Sequence, residues 1–130
     1  MADLETLASQ VAARLAQYGA EVDALPEFAA RDAKTLRVSV IPFGTELKTL
    51  SRGSVEMTDT VQVGFVKKAT ADDVPELTAL VRGIGKGLLR MKADGATCTG
   101  VAFEPVYSAA HLRDKGLFVS LVTLTFKAAE

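Results

Sequence analysis

The chain has 130 residues, 48% of them hydrophobic and 24% charged, with a net charge of −1. That length supports one domain over 1–130 with its own core, and the near-neutral total gives no global case for nucleic acid or acidic lipid as a partner. No apolar run reaches the roughly 18 residues of a membrane span, Met1-Ala2-Asp3-Leu4-Glu5 lacks the basic and apolar parts of a signal peptide, and a single cysteine, Cys98, excludes an internal disulfide and fits a reducing place of synthesis.

Residues 3–18 read as the first helix. Leu4, Leu7, Val11, Leu15 and Tyr18 recur at three- and four-residue steps and make one apolar stripe. Asp3 suits the N-cap and Gly19 the left-handed stop. The alanines at 8, 12, 13 and 16 either reflect helix propensity alone or thin one flank for close approach. Glu21–Thr35 reads as a connector in which Pro26 disfavours helix at Leu25 and Phe28 pins the segment to the body.

Strand one is expected over Leu36–Phe43. Leu36, Val38 and Val40 fall on one face, Arg37 and Ser39 on the other, and Pro42 ends the ladder for want of an amide hydrogen. A second strand, Thr60–Lys67, places Val61, Val63 and Phe65 together. Between them, Gly44–Asp59 reads as a polar arm of about 16 residues, far beyond the two to five usual for hairpin loops. The arm carries Glu46, Lys48, Arg52, Glu56 and Asp59 among Leu47, Leu50, Val55 and Met57. It is either a segment that orders against a partner or a plain surface loop.

Helix two follows, with Asp73 and Glu76 at capping-box spacing and Pro75 in the first turn. Leu77, Leu80, Val81, Ile84, Leu88 and Met91 form its apolar stripe, and Arg82, Lys86 and Arg90 lie opposite. Gly83, Gly85 and Gly87 each cost about 1 kcal/mol of helix propensity relative to Ala, which points to close packing against a strand or a neighbouring subunit. A turn at Asp94-Gly95 leads to strand three, Thr97–Tyr107, with an edge or bulge near Pro105. Ser108–Gly116 is a polar connector with one helical turn at Ala109–Leu112. Strand four, Leu117–Lys127, is apolar on both faces, so something must cover both. The expected fold is α+β in α-β-β-α-β-β order: a mainly antiparallel four-stranded sheet packed by two helices, with the long arm between strands one and two.

Catalytic and metal-binding patterns are lacking. His111 has no cysteine or carboxylate at ligand spacing and reads as a surface residue. Cys98, between Thr97 and Thr99, reads as a buried small side chain. Gly83-Ile84-Gly85-Lys86-Gly87 fails as a phosphate loop because its glycines lie within the helical pattern and Leu88 follows. No catalytic, cofactor-binding or metal residue is assigned, and an enzyme is not the expectation. The Arg82/Lys86/Arg90 stripe can be a solvated face, a set of phosphate contacts or a salt-bridged seam with another subunit.

The order of parts resembles the phage tail terminator proteins, also called minor tail proteins, of long-tailed phages and prophages. The likeness is carried by Leu4/Leu7/Val11/Leu15, by Val38-Ser39-Val40-Ile41-Pro42 entering the arm, and by Ser51-Arg52 within it. It continues through Val61-Gln62-Val63-Gly64-Phe65, Phe103-Glu104-Pro105-Val106-Tyr107-Ser108, His111-Leu112, Gly116-Leu117-Phe118 and Leu124-Thr125-Phe126. The resemblance implies a structural protein of the virion tail, made in the host cytoplasm, without cofactor or catalysis. It would form a hexameric ring that caps the tail tube, ends elongation and offers a surface to a head-completion or neck protein. It implies an arm mobile alone and ordered on assembly, with Arg52 as a subunit or tube contact. Arg82, Lys86 and Arg90 are further interface candidates. The alternatives are another head–tail joining ring protein or, in a different class, a small α/β ligand-binding domain or enzyme.

Overall fold

The computed structural model describes residues 4–22, 36–93, 95–103 and 109–129. Its elements run α1 (Leu4–Arg14), a 3-10 turn (Ala16–Tyr18), β1 (Glu21–Val22), β2 (Arg37–Ser51), β3 (Ser54–Lys68), a second 3-10 turn (Ala71–Asp73), α2 (Val74–Leu88), β4 (Lys92–Ala93), β5 (Ala96–Phe103), α3 (Ala109–Lys115) and β6 (Leu117–Ala129). The expected four-stranded antiparallel sheet in α-β-β-α-β-β order is overturned. The sheet is mixed and six-stranded, in the order β1-β2-β3-β6-β5-β4. The pair β1–β2 is parallel, with Glu21 opposite Ser39 and Val22 opposite Val40, and every other pair is antiparallel. About half of the described residues are strand, well over the roughly 20–25% usual for globular proteins, so the sheet is the organising layer.

The arm is the largest correction. It is not a loop: β2 and β3 stay paired along their whole length, from Arg37–Val66 to Ser51–Ser54, with Arg52 and Gly53 at the turn. Gly53 takes φ +84, which a side chain would strain. Pro42 does not end the strand. Beyond Val40 the described chain places no strand outside β2, so a missing amide hydrogen is tolerated on that edge. The register then shifts at Phe43, since Pro42 faces Val61 and Gly44 faces Thr60, and shifts again between Thr49 and Ser51. Each bulge moves the alternation by one residue. The root of the hairpin is gripped from the other side by β6, whose Phe126, Lys127 and Ala128 face Asp59, Thr58 and Met57.

Both long helices pack on one face of the sheet, α1 against β2 and β3, α2 against β5 and β6. Leu7, Ala8, Val11 and Leu15 of the first helical segment meet Val38, Val40, Val61, Val63 and Phe65 of the sheet in the main core. The α2 stripe joins it through Leu77, Val81, Ile84, Leu88 and the following Met91, as the periodicity predicts, with Leu80 half-buried. On the reverse face Val66, Leu117 and Val119 form a small separate cluster, Val66 lying directly opposite Val119. This is the second apolar face expected of β6.

Several boundaries move. The first helix ends at Arg14 and tightens into the 3-10 turn, closed by Gly19 at φ +71. The capping interaction before α2 belongs to Thr70 and Asp73 rather than Asp73 and Glu76: the Thr70 amide and hydroxyl both donate to Asp73 Oδ2, at 2.9 and 3.3 Å. β5 begins one residue earlier than expected, at Ala96, and the connector after it holds a seven-residue helix, α3. The expectations for Asp3, Pro26, Phe28, Asp94, Pro105 and Tyr107, and for the side chains of Leu50 and His111, lie outside the described residues.

Candidate functional site: the hairpin and the outer side of α2

Alongside the end of β6 and past it, the β2–β3 hairpin sorts its side chains by face. Leu47 faces Met57, and Thr49 faces Val55, on the side that carries the core further down the sheet. Glu46, Lys48 and Glu56 occupy the other side, where Lys127 Nζ reaches Glu56 Oε1 at 3.6 Å. Leu47 is 62% exposed and Val55 39%, and Phe43 at the first bulge is 64% exposed. Met57 is buried beside them, separated from the main core on that face by the Asp59–Thr45 pair. Arg52 stands exposed at the tip.

Between Met57 and the main core, Asp59 is buried at 2% exposure and its Oδ1 accepts a 2.6 Å hydrogen bond from Thr45 Oγ1. A buried carboxyl needs such a donor, because desolvation without one is costly. The bond ties the two strands together immediately above the first bulge.

Arg82 and Lys86 lie one turn apart on the solvent side of α2 and border a groove with Leu89, Val101 and Phe103. Arg90 is not part of that stripe. The helix stops at Leu88, Leu89 is extended at ψ 133, and Arg90 takes φ +71 beyond the end. Its amide donates to the Cys98 carbonyl at 2.9 Å, and the Cys98 amide donates to Met91 at 2.8 Å. Arg90 therefore serves a backbone junction between α2 and β5. Arg52 sits at the tip of the β2–β3 hairpin, an element apart from the α2 stripe.

Of the three helix glycines, only Gly85 packs closely against a described strand of this chain. A Cβ at Gly85 would fall 3.1 Å from Val101 Cγ1 and nearer still to the Phe103 ring, whereas Gly83 and Gly87 have nothing within 4 Å. The Gly87 carbonyl accepts a 3.3 Å bond from Arg14 Nη2, which links α2 to the end of α1. Cys98 is fully buried, with Sγ 3.5 Å from the Gly100 carbonyl. Burial pushes its thiol pKa up, against the opposing pull of backbone hydrogen bonds. The side chain is thus a neutral thiol packed in the core. Among the described residues no group of three or more His, Cys, Asp or Glu could hold a metal ion. No described helix is long and apolar enough to cross a membrane.

The apolar face of the hairpin had a signal in the sequence, exposed Leu47 and Val55 with buried Met57, but two bulges hid the alternation that pairs them. In comparison with known proteins, the chain matches no family model and no curated protein. It is similar to a solved structure of a protein of unclear function at 13% identity, covering 95% of this chain and 87% of that chain with a TM-score of 0.49.

Proposed function

We propose that this chain is a structural assembly subunit of a long-tailed phage tail, forming a ring that caps the tail tube, ends its elongation and offers a surface for head attachment. The observation that carries the reading is the β2–β3 hairpin. It carries exposed Leu47 and Val55 toward a tip at Arg52, with Phe43 exposed at the first bulge, and exposed apolar side chains in a group mark a contact surface. The resemblance of its sequence segments, rather than the overturned element order, supplies the tail; the hairpin supplies a means of joining. Identical subunits in a ring meet head to tail, each offering one surface to a different surface of the next, and a projecting hairpin suits the offering side. The partners in this reading are further copies of the chain, six in the ring, the tube protein, and a head-completion or neck protein. No cofactor is required.

The test is electron microscopy of tails from phage lacking the chain. Overlong tubes without heads, restored to uniform length and joining by the purified protein, are the expected result. Tubes of normal length that fail to join would assign the protein to the neck, and normal joined tails would overturn the proposal. Arg52→Glu is expected to weaken assembly while leaving the folded subunit intact, read as loss of ring formation beside an unchanged thermal midpoint.

A further inference from the structure

We infer that the groove between α2 and β5 binds a small apolar anion, a carboxylate or sulfonate carried on an aliphatic or aromatic body. The groove has a volume of about 400 Å³, within the range of roughly 300–1,000 Å³ of small-ligand sites. Its floor is apolar: Val101 and Phe103, both half-buried on β5, and Leu89, 42% exposed just past α2. Gly85 shapes that floor, because with no side chain of its own it lets the helix backbone settle onto Val101 and Phe103. Gly83, with open space where a side chain would stand, keeps one wall low.

The rim is cationic. Arg82 and Lys86 are spaced i and i+4, which sets their side chains next to one another and makes them repel. Neither is held by a carboxylate among the described residues. An anion between them relieves the repulsion and gains charge-assisted hydrogen bonds, while its apolar body covers Leu89, Val101 and Phe103. A bare inorganic anion satisfies only the rim, and a neutral hydrocarbon only the floor. The two features together select a molecule that has both parts. This inference is independent of the tail-assembly reading, and its failure would leave that reading untouched.

The test uses the full chain and octanoate as the probe, followed by amide 1H–15N shifts. Octanoate is expected to move the Gly83, Gly85, Leu89, Val101 and Phe103 amides saturably. Acetate, octanol and octylamine are expected to bind there at least tenfold more weakly. The Arg82→Gln/Lys86→Gln double variant should lose at least tenfold in octanoate affinity with its unliganded spectrum otherwise unchanged. The inference is overturned if octanol or octylamine moves the same amides as strongly, if acetate does so, if the octanoate shifts fall elsewhere, or if none appear. Octanoate binding that survives in the double variant would overturn it as well.

Discussion

Between Val61 and Phe65 the β2–β3 pair carries Val61, Val63 and Phe65, all closed to water beneath α1, with Val38 and Val40 facing them from β2. Further along the same hairpin, Leu47 and Val55 lie on the same face and are exposed. One ladder thus serves as the spine of a core at one end and as a free surface at the other. The changeover falls at the Phe43 bulge and the Asp59–Thr45 bond. Pairing of backbone groups is indifferent to which side chains are covered; only packing on the face decides whether an apolar residue stabilises the fold or remains available to a partner.

The contrast can be broken most sharply at its core end. Phe65→Ala removes a fully buried ring and should cost about 3–5 kcal/mol, read as a lowered denaturant midpoint. A loss below about 1 kcal/mol would mean that the β3 centre is not the packing axis. At the changeover, Thr45→Val takes the donor from a buried carboxyl and should cost about 1–3 kcal/mol. Wild-type stability in that variant would show that the bond does not hold the two ends together. On the helix above the sheet, Gly83→Ala and Gly87→Ala should each gain roughly 0.5–1 kcal/mol, having open space. Gly85→Ala should show no such gain, because Phe103 and Val101 must yield to the new methyl group. Equal gains at all three would contradict the close helix–strand contact. At the free end, Leu47→Ser and Val55→Ser should each shift stability by no more than about 0.5 kcal/mol while weakening ring formation. A large loss of stability there would place those side chains in the core after all.

The parts of the fold that were legible in the sequence are those where one face repeats without interruption. The stripe from Leu77 to Met91, the alternation through Val38 and Val40, and that through Val61, Val63 and Phe65 correspond to buried positions. Gly19 marked a stop because its left-handed backbone has a local cause. The hairpin was hidden because Phe43 and the residue between Thr49 and Ser51 each reset the alternation, and because charged residues on one face disguised the apolar residues on the other. β1 and β4 have two residues each, too few to leave any period. Arg90 was misplaced because Leu88 and Leu89 continue the helical pattern while the backbone has already turned extended. The groove beside α2 depends on Gly85 meeting Phe103 across 18 positions of chain, a contact that local periodicity does not carry.

The order β3-β6-β5 has a consequence for how the chain emerges and folds. β6 follows both of its neighbours in the chain yet is inserted between them. Until Leu117–Ala129 has been synthesised, β3 and β5 each present a bare edge toward an empty slot. Bare edges invite pairing with other chains, and closing so distant a contact is slow. A nascent or truncated chain ending before Leu117 is therefore expected to aggregate or to need a chaperone, whereas supplying a 117–129 peptide in trans should rescue its solubility.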